Sequence, residues 1–294
     1  MDIALALGGG GSRGNAHIGV LRRLEQEGYR VRAVAGTSAG GIVAAAYAAG
    51  YTPDQMESFF ANVDQSKLFW RSSHEGPALL GLSGAAKVLE EFLGERTFAD
   101  LEIPCAMVAV DIKTGCEVVL DKGRVVDAVL ATIAVPAIFP PQQMGEYLLV
   151  DGGVLNPVPV SAVRLLAPSL PIVAVVLSPL VEATGSLIHI PLPIKIPGPI
   201  VERLTRMRLA QAFNIFLQST EASGRMLTRL RLQVDEPEVV IRPDVEASAC
   251  SIKWMCTKSS ASVNWLPMRP CPTSSAPSRG RAGWSDACFP TSDR

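Results

Sequence analysis

Apolar residues in this chain fall into short continuous runs and runs at helical spacing, and the two kinds alternate. DIALAL (2–7) is continuous and of strand length, which predicts a buried first strand. GGGGSRG follows as a tight loop. Residues 15–28, NAHIGVLRRLEQEG, place Ile18, Leu21 and Leu24 at helical spacing, with Gly28 as the stop. YRVRAVAG predicts a second strand ending at Gly36, and GGIVAAAYAAG a short alanine-rich helix ending at Gly50. Strand, glycine loop, helix, strand, turn, helix is the pattern of a βαβ unit, so the expected fold class is α/β with parallel strands.

The rest of the pattern extends this reading. YTPDQMESFFANV opens a helix with Thr52 as N-cap and Pro53 in the first turn. AAKVLEEFLGE (85–95) is amphipathic. IPCAMVAVDI (103–112) and CEVVLDKG (116–123) read as strands joined at Lys113-Thr114-Gly115. VVDAVLATIA is a helix stopped by Pro136. EYLLVDGG (146–153) is a strand entering a Gly-Gly turn, and LPIVAVVL a late core strand. IVERLTRMRLAQAFNIFLQST (200–220) is a long helix, with Leu204, Met207, Phe213, Phe216 and Leu217 roughly on one face. LRLQVDEPEVVIRPDV (230–245) reads as a final strand region. LIHIPLPIKIPGPI (187–200) holds four prolines, which forbids helix or central strand. It is either a surface loop packed on the core or an apolar lip that touches lipid.

Composition narrows the class. The chain has 294 residues, 48% of them hydrophobic and 19% charged, with a formal net charge of −1, enough length for a sizeable core and no basic density for nucleic acid. The apolar start of MDIALALGGGG is too short for a signal peptide and lacks a positive flank. The longest apolar runs, such as PIVAVVL (171–177), have strand length, so a soluble protein with at most peripheral membrane contact is expected. None of the six cysteines forms a C-x-x-C pair, which argues against zinc and for a cytoplasmic location. Cys105 and Cys116 read as buried thiols.

The candidate chemistry begins at Gly36-Thr37-Ser38-Ala39-Gly40. This is G-x-S-x-G between a strand and a helix, the setting of a nucleophile elbow; the alternative is a serine that merely caps the helix. A nucleophilic serine needs a base and an oxyanion hole. Gly8 to Gly14 follows the first strand and opens a helix, so its bare backbone N–H groups suit a developing oxyanion. Arg13 there either holds the loop, meets a phosphate, or lies on the surface. Gly9, Gly11 and Gly14 also fit G-x-G-x-x-G, but no acidic residue ends the second strand, which weakens a dinucleotide reading. Of the three histidines, His17 reads as a structural hydrogen-bonder, His74 lies in a polar loop and His189 in the Pro-rich segment. Asp151 instead ends a buried strand and is exposed by the Gly152-Gly153 turn; making an Asx-turn there is its alternative role.

Gly9 to Gly14, Gly36 to Gly40 and Asp151-Gly152-Gly153, in that order, together with VDAVLATIAVPAIFPP and DGGVLNPVPV, resemble the patatin-like phospholipase family over most of residues 3–245. The resemblance implies a three-layer fold, a central, mostly parallel sheet flanked by helices. It implies Ser38 as nucleophile and Asp151 as general base, with no histidine. The Gly10 and Gly11 amides would form the oxyanion hole with Arg13 beside them, and Gly9, Gly14, Gly36, Gly40, Gly152 and Gly153 would be motif glycines. Residues 134–141 and 76–95 would line an acyl pocket. The substrate would be a lipid or lysolipid ester, with neither metal nor cofactor required. A second reading keeps the fold without the turnover: a catalytically weak lipid-binding or regulatory protein.

The pattern collapses after residue 246, so the chain divides into a catalytic domain, 1–246 (motifs within 3–164), and a tail, 247–294, that is disordered or frameshifted. Four of the six cysteines and three of the four tryptophans lie in that tail. The genetic code favours a frame change. The last base of the Trp254 codon with the first two of Met255 reads Asp, and the next such triplet reads Val. The shifted text can continue as D-V-H-E-V-I-R-L-G-E-L-A, an amphipathic helix. Resequencing codons 245–256 of the gene is expected to expose the shift; an intact frame there would refute it.

Overall fold

A computed structural model describes residues 1–72, 74–177 and 200–243, with residues 200–210 described by their backbone. In chain order the elements are β1 (Asp2–Leu7), α1 (Ala16–Gln26), β2 (Arg30–Thr37), α2 (Ala39–Ala48), α3 (Pro53–Asn62), α4 (Gln65–Leu68), α5 (Ser83–Leu93), β3 (Cys105–Asp111), β4 (Cys116–Leu120), α6 (Val125–Thr132), β5 (Gln142–Met144), β6 (Tyr147–Asp151), α7 (Val160–Leu166), β7 (Ile172–Val175), α8 (Ile200–Asp235) and β8 (Val239–Ile241). The described residues form one compact unit. Residues 187–199 of the Pro-rich segment, with His189, and the tail after 246 lie outside them.

The strands form one sheet ordered β5-β6-β3-β2-β1-β7-β8, with β4 beside β3. Pairing is parallel from β3 through β2, β1 and β7 to β8. It is antiparallel where β4, β5 and β6 join.

The composition of β1 sets the layers. Its large residues Ile3, Leu5 and Leu7 point to one face, where α1, α2, α3, α5 and α6 cover the sheet. Ala4 and Ala6, with Ala33, Ala35 and Ala106 of β2 and β3, point to the other, covered by α7 and by Leu232 of α8. Alanine on that face lets α7 approach the backbone closely, whereas the opposite face interdigitates bulky side chains. The result is a three-layer α/β sandwich.

Local chemistry matches where it is strongest. Thr52 and Gln55 make a reciprocal capping box, with Pro53 in the first turn of α3. Gly28 follows α1 at φ +77°, a left-handed stop.

Two expectations change. Leu230 to Asp235 belong to α8, not to a strand, and only Val239–Ile241 pairs with β7. The alternation Leu-Arg-Leu-Gln-Val mimics a strand, but extending a formed helix costs far less than starting a strand. Glu236 at φ 42° followed by Pro237 ends that helix. Cys116 is exposed, because it begins a strand paired only to β3 right after a turn, whereas Cys105 is buried. The short elements α4, β5 and α7 have no period that the sequence shows. Among the described residues, no helix is long and apolar enough to cross a membrane.

Candidate active site

The site forms where two strands meet end to end. β4 occupies one edge of β3 from Met107 to Asp111. The other edge is shared: β2 runs parallel along it and stops at Thr37 beside Val108, while β6 arrives from the opposite direction and stops at Asp151 beside Ala109. The residue after β2 and the last residue of β6 therefore converge at the middle of β3.

Ser38 is the residue after β2. Its backbone is left-handed, φ 54° and ψ −126°, and its side chain makes no capping bond to α2. A non-glycine residue there costs roughly 1–3 kcal/mol, so its surroundings must impose the conformation. The Ser38 N–H donates to Thr132 Oγ1 at 2.9 Å, and that hydroxyl donates to the Val108 carbonyl at 2.5 Å. The Ser38 carbonyl accepts from Gly41 N–H at 2.8 Å. The sharpness of the turn explains its glycines. A Cβ on Gly36 would overlap the Gly40 carbonyl, and one on Gly40 would overlap the Leu7 carbonyl.

The Ser38 hydroxyl lies close enough to the Asp151 carboxylate to favour its charged form. Asp151 is only 5% exposed, and its Oδ1 also accepts from Gly153 N–H at 2.7 Å, so the Asx-turn is present as well. Burial pushes the Asp151 carboxyl up to about 6, against the nearby Ser38 hydroxyl and the Gly153 N–H, which pull it down. A Cβ on Gly152 would overlap the Val108 carbonyl, and one on Gly153 would lie 3.0 Å from Asp151 Oδ1.

The glycine loop packs on the elbow without side chains between them. A Cβ on Gly9 would sit 3.4 Å from the Ser38 Cβ, and one on Gly14 2.8 Å from the Ala39 Cβ. Gly9 N–H donates to the Pro157 carbonyl at 2.8 Å, whereas among the described residues the N–H groups of Gly10 and Gly11 have no acceptor. Arg13 folds back over the loop: its Nε donates to the Gly10 carbonyl at 3.4 Å and its Nη2 lies 3.6 Å from Glu221 Oε1 of α8.

His17 is fully buried beneath this loop, its Nε2–H donating to the Gly8 carbonyl at 2.7 Å. Burial pushes it down to about 4, so the ring is neutral and its one N–H is committed. His74 is exposed.

Sequence reasoning missed a supporting layer. Thr37 Oγ1 donates to the Asn156 carbonyl at 2.9 Å, tying the elbow to the loop after Asp151. Asn156 Nδ2 donates to Glu117 Oε1 at 2.9 Å. Arg231 of α8 donates to Glu117 Oε2 at 2.7 Å and to the Leu155 carbonyl at 3.1 Å. The Asn-Pro after Asp151-Gly152-Gly153 was the one visible hint; Glu117 and Arg231 stand far from it in sequence.

An apolar cavity is lined among others by Ile42, Phe60, Phe69, Leu82, Leu89 and Phe139. Ile42 is one helical turn beyond Ser38. Of the two segments expected to line it, 76–95 supplies Leu82, Ala85, Val88 and Leu89, and 134–141 supplies Phe139.

At pH 8 a charged carboxylate in this setting destabilises the fold. The folded value of about 6 exceeds the unfolded one near 3.8, so stability falls as pH rises between them, by about 3 kcal/mol in all. Asp151→Asn is therefore expected to melt several degrees above the parent at pH 8, with the gain vanishing near pH 4. An unchanged or lower melting temperature at pH 8 would contradict it.

The patatin-like phospholipase family model matches residues 5–164. An uncharacterized NTE family protein of Mycobacterium tuberculosis is 34% identical over 164 residues, covering 55% of this chain and 45% of that protein. A patatin-like phospholipase domain-containing protein of Caenorhabditis elegans is 32% identical over 174 residues, covering 55% of this chain and 12% of its own. The chain thus spans less than half the length of these relatives. Among solved structures, VipD from Legionella pneumophila aligns with TM-score 0.39 and 15% identity over 62% of this chain and 50% of that one.

Proposed function

This chain belongs to the patatin-like phospholipase family, and from that premise we propose that it hydrolyses lipid carboxylic esters, of phospholipase A or lysophospholipase type, through an acyl-Ser38 intermediate. The observation that carries this reading is the buried Asp151 facing the Ser38 hydroxyl where β2 and β6 end at adjacent positions of β3.

The chemistry follows from the placement. Asp151 takes the Ser38 proton as Oγ attacks the ester carbonyl carbon. An ordinary carboxylate is a weak base; one held near 6 by burial is better matched to neutral pH. The carbonyl oxygen becomes an oxyanion within reach of the Gly10 and Gly11 N–H groups, which spend no bond elsewhere among the described residues. Arg13 steadies the Gly10 carbonyl behind them. Collapse of the tetrahedral species expels the alcohol, which takes the proton back from Asp151. Water then attacks the acyl-serine while Asp151 accepts its proton; collapse of that tetrahedral species returns the proton to Ser38 Oγ, and the fatty acid leaves. Water exclusion at Asp151 strengthens each of these interactions. The apolar cavity one turn from Ser38 would hold the acyl chain.

A fluorophosphonate probe is expected to label Ser38 and to leave Ser38→Ala unlabelled. Asp151→Asn should slow ester hydrolysis by about 10²–10⁴-fold. Labelling at another serine, or full turnover in either variant, removes the assignment.

The acid limb supplies an independent check. kcat/KM should fall tenfold per pH unit below about 6, because the protonated carboxyl cannot accept the serine proton, and level off above it. A limb near 4 would place the base in a solvated setting and contradict the burial argument.

A further inference from the structure

The outer surface next to the apolar cavity carries a second feature. Trp70 is 56% exposed and Leu79 46% exposed. They belong to one tied loop. Arg71 Nη1 donates to the Ala78 carbonyl at 2.9 Å, and Gly81 N–H donates to the Phe69 carbonyl at 3.3 Å, so residues 69–71 lie against 78–81. Leu79 N–H in turn donates to the Ala137 carbonyl at 3.2 Å. Of the cavity-lining residues, Phe69 directly precedes Trp70, Leu82 lies three residues past Leu79, and Phe139 lies two residues past the Ala137 that Leu79 bonds.

Three basic residues, Lys67, Arg71 and Lys87, flank the pair. Lys87 of α5 sits over the Trp70 ring, its Nζ 5.1 Å from the centroid. Arg71 spends its donors on neutral carbonyls, at Ala78 and at Gly76, and among the described residues has no carboxylate in ion-pair reach. Lys67 is 79% exposed, and its only carboxylate partner among the described residues, Asp64 at 3.3 Å, is itself more than half exposed, so that pair is screened. The loop's own carboxylate, Glu75, is turned inward. It accepts from the N–H groups of Ser72, Leu82 and Ser83 and from the Ser83 hydroxyl. An aromatic and an aliphatic side chain flanked by basic residues, of which Arg71 and Lys87 have no ion pair among the described residues, is the composition that settles at the boundary between anionic headgroups and acyl chains.

We propose that Trp70 and Leu79, with Lys67, Arg71 and Lys87, form the surface by which this protein docks on an anionic lipid surface. The occupant is argued from charge complementarity and from continuity with the cavity wall. Docking there brings the cavity next to the acyl region, so the proposal names the physical form of the substrate, a lipid aggregate, and in that purpose rests on the hydrolase reading. The docking itself is measurable without turnover.

The test uses Ser38→Ala as a silent parent and vesicles of phosphatidylcholine, alone or mixed with phosphatidylserine, in a co-sedimentation assay. The parent should bind the anionic vesicles and be released by high salt. Lys67→Gln and Lys87→Gln should each weaken binding about fivefold, and Trp70→Ser about tenfold or more. Equal binding to both vesicles, no binding to either, or variants that bind like the parent would overturn the proposal. A dimer that dissociates on Trp70→Ser would assign the patch to a second copy and overturn it equally. Hydrolysis of a short water-soluble ester, measured with Ser38 intact, separates the two readings. Trp70→Ser should leave that rate unchanged; loss of it would show a damaged cavity rather than a docking surface. If the ester is not hydrolysed while the silent parent docks as expected, the hydrolase reading fails and the docking stands.

Discussion

A carboxylate held out of water at the meeting point of two strands is the constraint on which this structure turns. β3 offers one edge to two partners in succession, and that edge has room for both only because β2 stops at Thr37 and β6 stops at Asp151. Their ends leave a gap of a single peptide register along β3. Into that gap the chain places a hydroxyl on one side and a carboxylate on the other. The antiparallel entry of β6 is what makes this possible. A parallel strand in the same place would bring its amino end, not its carboxyl end, to Ser38.

The arrangement is costly, and the cost is local. Ser38 holds a left-handed backbone, Asp151 is buried, and the glycine loop leaves two N–H groups without acceptors among the described residues. Each is a form of stored strain or desolvation that the surroundings must offset. The surroundings are rigid by construction. The five elements around the site are cross-linked by short bonds from Thr132, Thr37, Gly9 and Asn156. α8 then holds both halves: Glu221 meets Arg13 over the glycine loop, and Arg231 meets Leu155 behind Asp151. A site whose polar groups are this confined can be tuned only by changes elsewhere in the same network.

Apolar surface is handled in two different ways around the same centre. Inside, Phe60, Phe69 and Phe139 join aliphatic side chains, Ile42 one helical turn past Ser38 among them, around an apolar cavity. Outside, Trp70 and Leu79 stay in contact with solvent, with Lys87 over the Trp70 ring. Burying the first set stabilises the fold; leaving the second set exposed does not, and has to be accounted for by something that covers it.

The sequence alone determined the local pieces. Continuous apolar runs gave β1, β2, β3 and β7, helical spacing gave α1, α3 and α5, and glycine two residues on each side of Ser38 marked a turn too sharp for side chains. Those are legible because their causes lie within a few residues: a period, a cap, a forbidden Cβ. The same locality misled it at Leu230–Asp235, where a two-residue alternation sits on a helix begun thirty positions earlier. Only the tertiary structure decided that β6 enters against β2, that His17 is sealed beneath Gly8, that Cys116 is exposed, and that Glu117 and Arg231 brace the loop after Asp151. Each depends on pairing, burial or desolvation between segments far apart in the chain. Such contacts leave no period behind, because the free energy that selects them is set by what surrounds a residue, not by what precedes it.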